Sequence, residues 1–281
     1  MDKNQLDKLI IHFLDEDIGR GDITSEAIFA QSQLGQASLV ARETFVAVGM
    51  SAVAARVFKL QNSEIEVSQA AADGKKVEKG EVLLTVSGPV VDLLKAERVA
   101  LNLVQRLSGI ATLTARFVEQ VRDLDVIITD TRKTTPGLRM LEKYAVICGG
   151  GSNHRYNLAD GVLIKDNHIA ACGSIKDAVN RVRGAVPHTV KIEVETENLA
   201  QVSECLDCGV DIIMLDNMSY DLMKEAAGLI DGRALVEASG GVNLQTVRKI
   251  AECGVDIISI GALTHSAPAC DIGMDWQEKA G

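Results

Sequence analysis

The hexapeptide CGVDII occurs twice in this 281-residue chain, at residues 208–213 and again at residues 253–258. A helix-like segment precedes each copy, VSECLD before the first and VRKIAE before the second. A glycine that joins a helix to a short apolar strand, repeated along a chain, is typical of stacked βα units. The repeat therefore predicts a βα barrel in the second half of the chain.

Short apolar strands alternate with helical segments throughout this half, which favours a parallel sheet. Six such strands are expected: VIIT (126–129), VLI (162–164), KIEVE (191–195), IIML (212–215), LVEA (235–238) and IISI (257–260). Barrel enzymes carry their active sites at the carboxyl edge of the sheet, where the βα loops converge. Basic residues after two of these strands and carboxylates at two others therefore predict a functional site at that edge.

The first part of the chain mixes helical and strand patterns. LDKLIIHFLDED (6–17) has helical spacing, and QASLVARETFVAVGM (36–50) alternates like strands. DGKKVEKGEVLLTVSGP (73–89) resembles the hairpin of lipoyl and biotinyl carriers, so it is either a carrier site at Lys75 or Lys76 or a β-hammerhead used as scaffold. A long helical pattern follows from Val91 to Asp123, with a break expected at Ser108–Gly109.

Composition excludes several classes of protein. The chain is acidic, with 39 Asp and Glu against 29 Lys and Arg, and no apolar run has the roughly 18 to 20 residues needed to cross a bilayer. The N-terminus lacks the basic start and apolar run of a signal peptide, and six scattered cysteines are too few for a disulfide scaffold, so we expect a cytoplasmic protein. The pair Cys205 and Cys208 favours a small buried thiol over a zinc site, which needs four ligands.

The stretch from Asp130 to His168 reverses the charge balance of this acidic chain. It holds six Arg or Lys and four Asp or Glu, whereas the whole chain has a formal net charge of −10. A local reversal of this kind indicates a pocket for an anion rather than a surface for nucleic acid. The candidate anion-binding residues are Arg132, Lys133, His154, Arg155 and Lys165. His154 alone is equally consistent with a hydrogen-bonded positioning residue and with a proton carrier.

Carboxylates and glycines at other strand ends complete the candidate site. Glu195 and Asp216 can hold ribose hydroxyls or a Mg²⁺ ion that carries a phosphate, although each could instead neutralise a buried lysine such as Lys191. The segments Ser239–Gly241 and Gly261–Ala262 resemble phosphate-binding turns. The triple glycine 149–151 permits a tight turn whose N–H groups can face an anion, but a flexible loop has the same sequence.

Together these segments resemble one family, quinolinate phosphoribosyltransferase. The motifs that carry the resemblance are EDIGRGDIT (16–24), AERVALNLVQRLSGIAT (96–112), DTRKTTPGLR (130–139), GGGSNHRYNLADGVLIKDNH (149–168), KIEVE, MLDN, EASGG and IGALTHS. We expect an α/β fold in which residues 1–110 form a sandwich with a hammerhead-like hairpin and residues 111–266 form an open, TIM-like α/β barrel. Residues 267–281 are expected to form a tail that packs on the first domain.

The resemblance also implies an activity. The family transfers the phosphoribosyl group of phosphoribosyl pyrophosphate, with Mg²⁺, to quinolinate and releases pyrophosphate and CO₂, giving nicotinate mononucleotide for NAD biosynthesis. Alternatives are a related phosphoribosyltransferase that acts on another base or in molybdate metabolism, and an aldolase that forms a Schiff base on Lys165. Neither nucleic acid nor membrane is expected as a partner.

The family's functional residues can be placed on matching positions of this chain. Catalysis is implied for Lys133, Lys165, Glu195 and Asp216, and metal contact for Glu195 and Asp216, directly or through the substrate. Arg98 is expected to reach the site of a neighbouring subunit, which implies a homodimer or a higher oligomer. The implied substrate-binding residues are Arg98, Thr131, Arg132, Lys133, His154, Arg155, Lys165, Glu195, Asp216, Ser239, Gly240, Gly241, Gly261, Ala262 and His265.

Overall fold

The computed structural model describes residues 2–277, and the chain divides into two compact units. The first unit comprises Met1–Ala115, Thr135–Gly150 and Ala267–Gly281, and the second comprises Arg116–Thr134 and Gly151–Ser266. The expected tail, residues 267–281, falls in the first unit, and its residues 278–281 lie outside the described part of the chain.

Strands and helices are numbered in chain order. The strands are β1 (Leu34–Ala41), β2 (Phe45–Val46), β3 (Glu66–Ala70), β4 (Lys76–Val77), β5 (Val82–Pro89), β6 (Ile127–Thr129), β7 (Val162–Ile164), β8 (Ile192–Thr196), β9 (Ile212–Asp216), β10 (Leu235–Ser239), β11 (Ile257–Ser259) and β12 (Ile272–Trp276). The α-helices are α1 (Lys3–Ile18), α2 (Ile23–Ile28), α3 (Ala55–Gln61), α4 (Val90–Val121), α5 (Arg139–Cys148), α6 (Asp166–Cys172), α7 (Ile175–Ala185), α8 (Leu199–Cys208), α9 (Tyr220–Ile230), α10 (Val247–Ala251) and α11 (Ala262–His265), with a π-helical turn at Met50–Ala54.

The first unit is built on an antiparallel sheet of order β12-β1-β5-β3. Strand β1 lies between β5 and β12, so Ala37 pairs with Val86 on one side and with Trp276 on the other. Its second half is buried, and α1 and α3 add apolar residues such as Ile10 and Phe58 to the core. The carrier-like hairpin is completed by β4, which pairs with β2 rather than with the main sheet. This unit is therefore a sandwich of sheet and helices.

Helix α4 runs without interruption from Val90 to Val121, so the expected break at Ser108–Gly109 is wrong. Glycine is required at position 109 for a different reason. A Cβ atom there would lie 2.0 Å from the carbonyl oxygen of Pro268. A glycine that permits close backbone approach looks in sequence like a helix breaker. Among residues 2–277, no helix combines the length and the apolar character needed to cross a membrane.

The second unit confirms the expected open α/β barrel. Its sheet has the order β6-β11-β10-β9-β8-β7, every pairing is parallel, and all six expected strands are present. Strands β6 and β7 are the two edges of this sheet. An isolated parallel bridge between Thr129 and Ser152 places the segment before β7 alongside β6.

The glycines of the CGVDII repeat explain how each helix turns into the next strand. Helix α8 begins after Asn198, whose side-chain oxygen accepts a hydrogen bond from Gln201 N at 3.0 Å, and it ends at Gly209 with φ of 62°. Gly254, the matching glycine after α10, has φ of 86°. Only glycine adopts this left-handed conformation freely, so the repeat marks a helix end and the return of the chain to the sheet.

Candidate active site

Side chains from the carboxyl edge of the parallel sheet line one cavity of about 570 Å³. We refer to it as the edge cavity, and it lies within the second unit. The loops after β6, β7, β9 and β10 and the end of β8 all contribute to it, as the strand ends predicted. Its lining consists of Thr131, Arg132, Lys133, His154, Arg155, Leu163, Lys165, Glu195, Met214, Asp216, Asn217, Ser239, Gly240, Gly241 and Ser259.

Most of the residues expected at the site are thus brought together, and the others have separate places. Gly261 lies close by, because a Cβ atom there would be 2.9 Å from Lys133 Cδ and 3.2 Å from His265 Nε2. Ala262 and His265 belong to α11, directly after Gly261. Arg98 is an exposed residue of α4 in the first unit.

Two predicted residues of opposite charge meet in the cavity. Lys165 Nζ lies 2.7 Å from Glu195 Oε2, so the lysine that follows β7 pairs with the carboxylate near the end of β8. The partner of Glu195 is thus Lys165 and not the suggested Lys191. Asp216 Oδ2 accepts a hydrogen bond from Asn217 Nδ2 at 2.7 Å. Each carboxylate is therefore oriented by a neighbouring side chain at the rim of the sheet.

The loop that carries Arg132 and Lys133 is held by short contacts. Lys133 N donates to Thr131 Oγ1 at 3.0 Å, and Thr264 Oγ1 donates to the carbonyl oxygen of Lys133 at 2.8 Å. Gly261 lies where a side chain would collide with Lys133. The segment containing Gly261 therefore supports the cationic loop in addition to any role with phosphate.

His154 and Arg155 enter the cavity from the segment that runs beside β6. The buried Asp130 carboxylate accepts a hydrogen bond from His154 N at 2.9 Å, and Arg155 Nη1 donates to the carbonyl oxygen of Gly161 at 2.9 Å. Burial and, next, the neighbouring Arg132 guanidinium lower the pKa of Arg155 from its usual value. Two guanidinium groups placed together in a partly buried site are suited to a ligand that carries more than one negative charge.

The imidazole of His154 has neighbours within the protein at both ring nitrogens. Its Nδ1 accepts the backbone N–H of Arg155 at 2.8 Å, while Nε2 lies 3.2 Å from Glu193 Oε2 and 3.6 Å from Glu237 Oε1. Both glutamates are almost fully buried in the barrel interior. Burial and, next, the nearby Glu193 carboxylate raise the pKa of Glu237 to about 7.

The Ser239–Gly241 turn has the backbone geometry that its sequence suggested. Gly240 and Gly241 have φ of 94° and 60°, values that disfavour any residue with a Cβ atom. A Cβ on Gly240 would also lie 2.2 Å from Asn217 Oδ1. The turn after β10 is thus packed directly against the residue that orients Asp216, and its backbone can approach a ligand closely.

Two of the three consecutive glycines, Gly149 and Gly150, are explained by the packing and backbone conformation of the first unit. A Cβ atom on Gly149 would lie 2.5 Å from the carbonyl oxygen of Ala111, and Gly150 has φ of 88°. These positions therefore need glycine whether or not their N–H groups meet an anion.

Several residues of the site were not predicted. Leu163, Met214, Asn217 and Ser259 line the edge cavity, and Glu193 and Glu237 lie behind His154. Leu163 and Met214 look in sequence like any core residue of a strand. A usable signal existed for the glutamates, because each has apolar neighbours on both sides within its strand and buried charges are rare unless they are paired.

Comparison with known proteins identifies the family to which the chain is similar. The sequence models of the N-terminal and C-terminal domains of quinolinate phosphoribosyl transferase match residues 22–108 and 110–275. A Bacillus subtilis protein named probable nicotinate-nucleotide pyrophosphorylase (carboxylating) is 48% identical over 98% of this chain and 94% of its own length, and a Mycobacterium leprae protein of the same name, without "probable", is 43% identical over 93% and 94%.

Solved structures give the same result. The crystal structure of NadC from Streptococcus pyogenes covers 99% of both chains with a TM-score of 0.93 and 41% identity. A nicotinate-nucleotide pyrophosphorylase from Ehrlichia chaffeensis covers 96% of this chain and 98% of its own, with a TM-score of 0.92 and 43% identity. Two family models, together with relatives matched over nearly their full length, show that the chain belongs to the quinolinate phosphoribosyltransferase family.

Proposed function

We propose that the chain transfers the phosphoribosyl group of phosphoribosyl pyrophosphate to quinolinate, with decarboxylation, to give nicotinate mononucleotide, pyrophosphate and CO₂ in NAD biosynthesis. The observation that carries this proposal is the edge cavity, which combines four Arg or Lys side chains with two carboxylates and a double-glycine turn. Few substrates other than a pair of polyanions need this combination. The descriptions of the matching family models favour quinolinate over another base, and the names of the relatives give no support to the Schiff-base aldolase or the carrier.

The cationic side chains of the cavity are assigned to the two substrates. Quinolinate is a pyridine dicarboxylate, and Arg132, Arg155 and Lys165 supply the forked and compact charges that hold two carboxylates. Lys133 lies on the same loop as Arg132 and beside Gly261, so it can serve either substrate. The 5′-phosphate is assigned to the turn of Ser239–Gly241, whose positive φ angles expose backbone N–H groups, and to the segment of Gly261, Ala262 and His265.

Glu195 and Asp216 act on the ribose. As pyrophosphate leaves, C1 of the ribose gains positive charge, much as in glycoside cleavage, and fixed carboxylates stabilise that charge. Two carboxylates on neighbouring strands are also ligands of the kind that Mg²⁺ prefers, so these residues fit the ion that accompanies phosphoribosyl pyrophosphate. When bound, Mg²⁺ would offset the negative charge of the pyrophosphate group.

The chain's remaining tasks are orientation and exclusion of water. The pyridine nitrogen attacks C1 as pyrophosphate departs, which leaves the ring positively charged. That ring accepts the electron pair when the adjacent carboxylate leaves as CO₂, and the same carbon then takes up a proton. Leu163 and Met214 give the cavity apolar walls that protect the reactive ribose from water.

The working form is proposed to be a homodimer or a higher oligomer in the cytoplasm. Arg98 is exposed on α4, which leaves its guanidinium accessible to a neighbouring subunit. All six cysteines are thiols, in keeping with a reducing compartment.

The proposal is tested by incubating the purified chain with quinolinate labelled in the 2-carboxylate. We expect release of labelled CO₂ and formation of nicotinate mononucleotide, both dependent on phosphoribosyl pyrophosphate. Nicotinate, which lacks the second carboxylate, is the matched control and should react poorly. Product formation from another base but not from quinolinate would show that the proposed substrate is wrong.

A further inference from the structure

Inside the barrel, His154 of the candidate site lies together with two glutamates that no predicted role uses, Glu193 and Glu237. The ligand-type atoms of His154, Glu193 and Glu237 are all within 4.8 Å of one another. Glu193 and Glu237 are 3% and 1% exposed, and each has an Oε1 atom without a hydrogen-bond partner among the described residues. Keeping two such carboxylates in a barrel core is costly, which indicates that they have a task.

The strands explain how the two glutamates reach the same point. Glu193 lies on β8 and Glu237 on β10, separated by β9, where they pair with Ile212 and Met214. In a barrel, alternate strands direct side chains into the same interior layer. Both carboxylates therefore face the imidazole from inside the barrel, while the edge cavity lies on its other side.

The hydrogen bond on Nδ1 determines the state of the ring. Nδ1 accepts the backbone N–H of Arg155 at 2.8 Å, so Nδ1 carries a lone pair and no proton. The neutral ring must then carry its proton on Nε2, the atom that lies 3.2 Å from Glu193 Oε2. A protonated Nε2 has no lone pair for a metal ion, and this argues against reading the cluster as a metal site.

We propose that Glu193 and Glu237 are positioning residues that hold His154 in its Nε2–H form, so that Nδ1 fixes the Arg155 backbone and directs the Arg155 side chain into the edge cavity. Glu193 is the carboxylate nearer to His154 Nε2, and it contributes more than Glu237 to holding the ring. The chain of contacts runs from the barrel core through the imidazole to a guanidinium that we assign to quinolinate, so the inference rests on the proposed function for its kinetic consequence.

The kinetic test compares two substitutions at one position. Glu193→Gln keeps a side-chain oxygen that accepts the Nε2–H, and Glu193→Leu removes it. We expect Glu193→Leu to raise the KM for quinolinate by at least about tenfold, as for loss of a buried hydrogen-bonded partner, with the KM for phosphoribosyl pyrophosphate nearly unchanged. Glu193→Gln should stay within about threefold of wild type for both, since the hydrogen bond survives.

Asp256→Asn is the matched control. The Asp256 side chain accepts a hydrogen bond from Val236 N at 2.7 Å, at the amino end of β10, away from His154. It should lower the melting temperature without raising the KM for quinolinate. A folded Glu193→Leu enzyme, judged by its melting temperature, that keeps a wild-type KM for quinolinate would overturn the inference.

A second measurement needs no activity and so separates this inference from the proposed function. The chain has five histidines, and ¹⁵N NMR of histidine-labelled protein reports which ring nitrogen carries the proton. The signal that disappears in His154→Phe should show the Nε2–H form in wild type and in Glu193→Gln, and should change in Glu193→Leu. An Nδ1–H form in the wild-type protein would contradict the proposal even if the enzyme turns over quinolinate.

Discussion

Lys165 and Glu195 form an ion pair at the carboxyl edge of the barrel, with 2.7 Å between Nζ and Oε2. The side chain of the lysine is 46% exposed and that of the glutamate 11%. Both line the edge cavity, and the glutamate is the more buried partner. The two residues have different assigned substrates, a carboxylate of quinolinate for Lys165 and the ribose for Glu195. Binding of quinolinate must therefore compete with Glu195 for the lysine.

This competition predicts the effect of Glu195→Gln. The substitution keeps the shape of the side chain but frees the charge of Lys165, so we expect quinolinate alone to bind as well as to wild type or more tightly. Turnover should fall by about 10²-fold, because a stabiliser of the developing ribose cation is lost. Calorimetry with quinolinate and steady-state kinetics on one preparation measure the two effects. Weaker quinolinate binding would show that Glu195 supports Lys165 instead of competing with the substrate.

Asp216→Asn tests whether the second carboxylate acts mainly in the transition state. Positive charge on the ribose appears only as pyrophosphate departs, so we expect kcat to fall by at least about 10²-fold with quinolinate binding little changed. Asp211→Asn is the control, since Asp211 directly precedes β9, at the end opposite Asp216, and its side chain accepts a hydrogen bond from Ile192 N at the start of β8. That variant should lose thermal stability and keep its kcat. An active, equally stable Asp216→Asn enzyme would remove Asp216 from the mechanism.

Gly240→Ala tests the turn after β10. The new Cβ would lie 2.2 Å from Asn217 Oδ1 at a φ of 94°, so we expect a loss of at least about 1 kcal/mol of unfolding free energy and a raised KM for phosphoribosyl pyrophosphate. Gly228→Ala, in α9 with nothing within 4 Å of its Cβ position, should instead gain up to about 1 kcal/mol. Urea unfolding and kinetics of both variants provide the measurement. Equal behaviour of the two would mean that the turn adapts to a side chain.

Glu237 should make stability depend on pH. Burial and Glu193 raise its pKa from 4.5 to about 7 in the folded chain. The folded state therefore binds the proton more tightly than the unfolded state, and the resulting stability is complete below about pH 4.5 and is lost as pH rises through 7. Relative to wild type, Glu237→Gln should gain up to about 1.4 kcal/mol per pH unit across this window. Unfolding free energies of both proteins at several pH values measure this, and a pH-independent difference would contradict it.

Subunit sharing can be tested with two inactive variants. Arg98→Ala and Lys165→Ala should each lose activity, but a mixed dimer contains one site with an intact Lys165 and an intact Arg98 from the partner. Random exchange of subunits should restore about one quarter of wild-type activity, since half of the dimers are mixed and each has one working site. If the mixtures remain inactive after subunit exchange has been demonstrated, Arg98 serves the site of its own chain and not that of the partner.

Sequence patterns predicted the residues at the carboxyl edge of the sheet well and those in the interior of the barrel poorly. Lys165, Glu195 and Asp216 were found because each ends or follows a short apolar strand, a position that the barrel fold brings to one edge. The state of His154 was not predictable, because it depends on Glu193 and Glu237, which are 39 and 83 positions away and meet it only in the folded barrel.

Gly109 shows the same limit in the first unit. Its neighbour, Pro268, lies 159 positions later in the chain, and local propensity reads the glycine as a helix break. Local signals place elements and their ends, whereas close packing between distant segments decides why a particular residue is required.

A substrate that bridges the two edge strands of the barrel would have a mechanical role as well as a chemical one. Strands β6 and β7 are the two edges of the six-stranded sheet, and Thr129 of β6 forms an isolated bridge with Ser152. The cations Arg132 and Lys165 follow these two strands, whereas the carboxylates come from β8 and β9 inside the sheet. A dianion bound by both Arg132 and Lys165 would connect the end of β6 to the end of β7. The ligand would then add to the backbone hydrogen bonds between β6 and Ser152, and occupancy of the site would be coupled to the rigidity of the barrel.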